Sequence, residues 1–185
     1  MTQRMAPAMD LETDRLRIRP WGTQEAARVL DIQSRPEVVK WLGDGPPQLM
    51  RTLGEARERI TSYHRRSALP PRGFWAIEVR ETGVVAGSVI LLTLPNAEHD
   101  EVEIGWHLHP DSWGRGYATE AAAAVLARGF AHGLPEIFAL THTDNMPSQA
   151  VCRRIGMRDL GVREKWYDGP SQVFGLTAEE YAGRA

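Results

Sequence analysis

Cysteine is all but missing from this chain. Cys152 stands alone among 185 residues, so no internal disulfide can form and no cysteine-rich zinc site can be built. No stretch approaches the roughly 18 to 20 continuous apolar residues of a membrane-spanning helix. The opening residues 1–9 carry one charge and no apolar leader segment, and residues 1–10 read as a flexible tail. Lysine is scarce, 2 against 20 arginines, a bias from which no function follows. The basic residues are scattered and the net charge is -2, which argues against nucleic acid as a partner. Internal repeats and low-complexity tracts are absent too. What remains is 42% hydrophobic and 25% charged, the make-up of an ordinary soluble protein whose lone thiol suits a reducing cytoplasm. The length is that of one domain, expected over residues 11–181, and large enough to fold without a metal.

Hydrophobic periodicity gives a coarse element order. Residues 15–19 alternate as a first strand ended by Pro20, and Thr23 can cap a helix carrying Ala26, Ala27 and Leu30. A second helix is expected from about Thr52 to Arg66. Residues 74–79, 84–92 and 102–108 read as three strands. A long helix over 116–132 follows, with Ala118, Ala121, Ala122, Val125 and Leu126 on one stripe. Then come a strand at 137–143, a helix at 147–155 stopped by Gly156, and strands at 158–165 and 172–176. The expected fold is α/β (α+β), one mixed sheet of about six or seven strands flanked by about four helices.

The segment from Glu103 to Ala121 carries the most information. It reads as a strand, a turn, the loop Trp113-Gly114-Arg115-Gly116, and an amphipathic helix opening at Tyr117-Ala118-Thr119. A helix N-terminus leaves backbone N–H groups unpaired and carries about half a positive charge, and glycines ahead of it let those groups close on a phosphate. Gly114 and Gly116 would serve equally in a plain tight turn before a helix. The loop lacks the Gly-Lys-Ser/Thr ending of nucleoside triphosphatases and the third glycine of a dinucleotide fold.

Residues 113–121, Trp-Gly-Arg-Gly-Tyr-Ala-Thr-Glu-Ala, resemble the acetyl-CoA pyrophosphate loop of the GNAT superfamily of N-acyltransferases, nearest the RimJ/RimL-type branch. Residues 11–16 resemble that branch's opening strand, and 145–151 with 155–157 its second cofactor motif, so the resemblance spans about residues 11–180. Trp113 replaces the Gln or Arg common at that place in the superfamily. The resemblance implies transfer of an acetyl group from acetyl-CoA to an amine, by direct attack and without a metal. Phosphate contacts would fall to backbone N–H groups from Gly114 to Ala118 and to Thr119, with Arg115 adding charge. Backbone groups of Trp106, His107 and Leu108, and the side chain of Asn145, would hold the pantetheine arm.

Strand periodicity puts Glu103, Gly105 and His107 on one face of their strand. Glu103 is the candidate general base, acting through a water, or else a solvated member of the acidic group Glu98, Asp100, Glu101 and Glu103. His107 is the other candidate base. Ser148 is the candidate for protonating the leaving thiolate, or else a polar residue in the first turn of a helix capped by Asn145. No partner spacing makes Cys152 a nucleophile. Trp41, Tyr63 and Trp166 are candidates for the acceptor wall, with the loop 166–170 opposite residues 21–72. The acidic group would suit a cationic acceptor, a protein N-terminus, small α-amine, aminoglycoside or polyamine. A silent acyl-CoA sensor and a binder of another nucleotide stay open, as do monomer and homodimer.

Overall fold

The computed structural model describes residues 9–43 and 45–184. The expected tail falls largely outside them; Met9 is buried against the core and Asp10 accepts from Arg17 at 2.7 and 2.8 Å. The chain forms strands β1 (Leu11–Glu12) and β2 (Leu16–Arg19), then helices α1 (Ala26–Gln33), α2 (Pro36–Val39) and α3 (Leu53–Arg66). A meander of β3 (Gly73–Val79), β4 (Val85–Thr93) and β5 (Val102–Leu108) follows. Next come α4 (Tyr117–Ala131), β6 (Glu136–His142), α5 (Met146–Arg154), β7 (Arg158–Arg163), β8 (Ser171–Thr177) and α6 (Ala178–Ala182). The fold is mixed α/β, with eight strands in the order β1-β2-β3-β4-β5-β6-β8-β7. The strand beyond expectation is the two-residue β1, and the added helices are the short α2 and α6, below the length at which periodicity can be read.

Both faces of the sheet are covered. On one, the stripe of α4 foreseen from the sequence packs Ala121, Ala122, Val125 and Leu126 against Leu91, Ile104 and Ile137. On the other, α1 and α3 bury Val29, Ile32, Ile60 and Tyr63 over Phe74 and Ala76. Helix α3 opens with a reciprocal cap, Thr52 accepting from the Glu55 N–H and Glu55 from the Thr52 N–H. Thr23 does not cap α1. Residues 23–25 form a 3-10 turn instead, because the Glu25 carboxylate takes the Gly22 N–H at 2.6 Å while holding Arg19 at 2.7 Å.

Strand β5 carries the candidate base Glu103, and β4 sets its place. A Cβ added at Gly87 would lie 2.2 Å from the His107 carbonyl oxygen and 2.6 Å from Leu108 Cα. The two backbones approach that closely only because a glycine stands there. Gly87→Ala is expected to cost about 1–3 kcal/mol, the usual range for overpacking, seen as a lower urea midpoint at unchanged slope.

Candidate active site

Strands β5 and β6 run parallel but pair at two positions only, Val102 with Ile137 and Glu103 with Phe138. Beyond Glu103 they part, while β5 stays paired with β4 as far as Leu108. Along an antiparallel pair the residues alternate in which edge their N–H and C=O face. The Glu101 carbonyl accepts from Leu94 and the His109 N–H donates to Ala86, each at 2.8 Å, so odd-numbered residues between them face β4. The backbone of Trp106 and Leu108 therefore faces the gap. His107 spends its backbone on β4 and brings its ring to the cleft. Trp113 Nε1 donates to the Leu108 carbonyl at 2.9 Å, folding the loop over the end of β5.

Gly114 and Gly116 have φ of 72° and 78°, the left-handed region that glycine enters without strain. The first intrahelical bond of α4 runs from the Glu120 N–H to the Gly116 carbonyl at 3.1 Å. The N–H groups of Tyr117, Ala118 and Thr119 come before it and have no partner within the helix, so they offer an anion three donors and the positive end of the dipole. Glu120 sits in the same turn, where a free carboxylate would repel that anion. It is held by the Thr13 hydroxyl at 2.6 Å, the Arg15 N–H at 3.0 Å and Arg15 Nε at 2.7 Å. Arg15 also donates to the Arg115 carbonyl at 2.9 Å and lies 5.1 Å from the Tyr117 ring centre. The turn between β1 and β2 thus braces the loop through Thr13 and Arg15, two residues not singled out from the sequence. The signal was Glu120, an acid in the first turn of a helix whose N-terminus is a candidate anion site, which calls for a counter-charge.

The Asn145 side chain accepts from the Ser148 N–H at 3.3 Å, and both residues also line the cleft. Capping and exposure to the cleft coexist. Arg115 contributes its carbonyl to Arg15, and its side chain is exposed.

Glu103 is buried, and Tyr167 donates its hydroxyl to Oε2 at 2.6 Å. Burial pushes its pKa up to about 7, against the opposing pull of the Tyr167 hydroxyl, the Arg66 charge and the Leu140 backbone N–H. Burial and the charge of Arg59 push His107 down to about 4, so its half-buried ring is neutral near pH 7 and a weak base. Of the two candidates Glu103 is the one tuned to neutral pH. The acidic group does not act together. Glu101 and Glu98 hold Lys165 at 2.6 and 3.4 Å, Asp100 holds Arg72, and of the four only Glu103 lines the cleft.

Trp41 lines the cleft, its ring centre 5.8 Å from that of His142. Tyr63 is buried, stacked 3.7 Å under Phe74 and accepting from Gln33 at 2.8 Å. Trp166 turns away into a small core with Phe138 and Val173, and its neighbour Tyr167 faces the cleft instead. Cys152 is fully buried, its thiol pushed up to about 12 by that burial. Among the described residues no group of His, Cys, Asp and Glu could hold a metal ion. The loop, the gap, Glu103 and Ser148 all border one cleft of about 1630 Å³.

The sequence pattern of the Acetyltransferase (GNAT) domain matches residues 15–158. The chain belongs to the GNAT acetyltransferase family. Among relatives of this GNAT domain, an uncharacterised N-acetyltransferase of Bacillus subtilis, YoaA, is 32% identical over 84% of this chain and 86% of its own. The FsC-acetyl coenzyme A-N(2)-transacetylase of Aspergillus fumigatus is 29% identical over 86% of this chain and 69% of its own. In fold it is similar to Mycobacterium smegmatis RimJ, solved in complex with CoA-disulfide, at a TM-score of 0.74 and 21% identity, covering 89% of this chain and 83% of that one.

Tyr167 donates to the ionised form of Glu103, so its loss disfavours that form. Carbon NMR of the Glu103 carboxyl is expected to titrate near the pKa of about 7, and Tyr167→Phe to move that midpoint upward.

Proposed function

We propose that this GNAT domain is an acetyl-CoA-dependent N-acetyltransferase that acts on a primary amine by direct attack, with Glu103 as base. One observation carries the reading. A buried carboxylate tuned to about pH 7 shares a cleft with the unpaired N–H groups of α4 and the bare edge of β5. The residues present fit acetyl-CoA: Tyr117, Ala118 and Thr119 for the pyrophosphate, Trp106 and Leu108 N–H groups for the pantetheine and thioester, Asn145 alongside. That the Aspergillus relative is named for coenzyme A and an N(2) position supports both donor and acceptor chemistry.

Bound acetyl-CoA supplies a thioester; attack by an amine nitrogen forms the C–N bond and breaks the C–S bond. Glu103 takes the ammonium proton, directly or through a water, and so supplies the neutral nucleophile. The Trp106 N–H, free of any strand partner, polarises the carbonyl. The Ser148 hydroxyl gives its proton to the departing thiolate and regains one from the attacking nitrogen as the amide forms. An α-amine, with a pKa of about 7.7 to 8 in a peptide, asks less of such a base than a lysine amine near 10.4. We therefore place the acceptor among α-amines, and the enzyme beside the RimJ/RimL-type branch in the cytoplasm.

Following thiol release from acetyl-CoA against a panel of amines tests this. Turnover is expected to rise with pH through a midpoint near 7, as Glu103 ionises. Glu103→Gln is expected to lower kcat about 10²–10⁴-fold and remove that limb. Tight binding of acetyl-CoA without thiol release, and no effect of Glu103→Gln, would instead mark a silent sensor. A second consequence concerns stability. A carboxylate whose folded pKa is raised contributes stability that is full below the unfolded value and lost as pH rises through about 7. Glu103→Gln is thus expected to gain in Tm over the parent at about pH 9 but not at about pH 5.

A further inference from the structure

Two arginines at the acceptor end of the cleft have no ion-pair partner among the described residues, although the Arg66 charge is felt at Glu103. Arg59 and Arg66 lie seven residues apart on α3, hence on one face, and both line the cleft. Neither forms an ion pair among the described residues, although Arg15, Arg19, Arg28, Arg35 and Arg72 each hold a carboxylate. They border the reacting groups rather than the phosphate loop. The Arg66 guanidinium lies 5.8 Å from the Phe74 ring centre, and that ring lies 5.9 Å from the His107 ring. The stacked pair of Phe74 and Tyr63 gives the two arginines a rigid base. The acids that would have favoured a cationic acceptor are engaged elsewhere: Glu98 and Glu101 by Lys165, Asp100 by Arg72. Lys40 and Glu37 also line the cleft, Glu37 lying 4.0 Å from Arg35.

We propose that the acceptor is a small amino acid, whose carboxylate is held by Arg59 and Arg66 while its amine is directed to Glu103. The inference rests on the transferase reading above and narrows its acceptor. A guanidinium presents a planar fork of donors that matches a carboxylate, and two in one wall favour an anion over a polyamine or an aminoglycoside. Phe74 beside Arg66 offers apolar surface to a side chain, and Trp41 lines the same cleft. The acid and the base then lie at fixed separate places, so one contact orients the substrate and the other activates it.

The test compares each amino acid with its own amide, leucine with leucinamide and phenylalanine with phenylalaninamide, with spermidine as a polyamine. Two readouts run in parallel: thiol release from acetyl-CoA, and calorimetric binding in the presence of CoA. The amide's amine is the easier to deprotonate, so a preference for the acid cannot come from basicity. The acids are expected to surpass their amides at least about 10-fold in kcat/KM and in binding, the usual worth of a hydrogen-bonded charge pair. Arg59→Gln and Arg66→Gln are expected to erase that margin by raising the acceptor KM, leaving the acetyl-CoA KM unchanged; Arg66→Gln also moves the Glu103 midpoint upward, so acids and amides are compared at a pH well above it. Arg57→Gln, exposed on the same helix and outside the cleft, is expected to change neither. Equal use of amides or spermidine, or a margin that survives both cleft variants, overturns the proposal while the transferase stands. Binding that prefers acids, with no thiol released from any acceptor, upholds the anion site and overturns the transferase instead.

Discussion

The site depends on two parallel strands that stay together for two residue pairs and then separate. A parallel pair must be joined by a crossover, and here that crossover is α4, which packs across the sheet. Its N-terminus is therefore delivered to the end of β5, beside the gap, with three N–H groups unpaired. The parting also leaves the even-numbered backbone groups of β5 without a strand to bond. Unpaired groups of this kind are costly in an interior and useful in a cleft, where a polar ligand can take them. Close contact with β4 at Gly87 accompanies the pairing that holds β5 as far as Leu108 while β6 leaves it.

Within the cleft two electrostatic demands oppose one another. A phosphate site wants positive charge, and a carboxylate base poised near neutral pH wants burial away from it. In the proposed function the fold separates them along β5. At the loop, Glu120 is neutralised by Thr13 and Arg15, so the dipole of α4 acts undiminished. At the opposite end Glu103 is buried, and Tyr167 and Arg66 keep its pKa from rising beyond about 7. His107, four residues on and on the same strand face, is driven the other way by burial and stays neutral.

Local signals carried much of this. Gly114 and Gly116 could be read in sequence because a left-handed backbone ahead of a helix leaves few other residues possible. The α4 stripe, the Thr52 helix start and the strand face shared by Glu103 and His107 follow from period and capping alone. What could not be read were pairings between distant segments. Tyr167 meets Glu103 from 64 residues away, and which of Trp166 and Tyr167 turns inward depends on a loop without periodicity. The acidic residues near Glu103 looked like one group because they are neighbours in sequence. Their ion pairs with Lys165 and Arg72 show that they are not. Arg15 belongs with Arg115 and Glu120 for a reason that only the sheet order supplies.

The central claim is that the gap between β5 and β6 and the start of α4 together form an acetyl-CoA site. Nitrogen–proton NMR shifts of the assigned backbone, recorded as acetyl-CoA is added, test it most directly. The account predicts that the amides of Trp106, Leu108, Tyr117, Ala118 and Thr119 move together at one affinity, and that adenosine diphosphate moves only the last three. Absence of binding would contradict it, and so would shifts confined to α4 with Trp106 and Leu108 unmoved by acetyl-CoA.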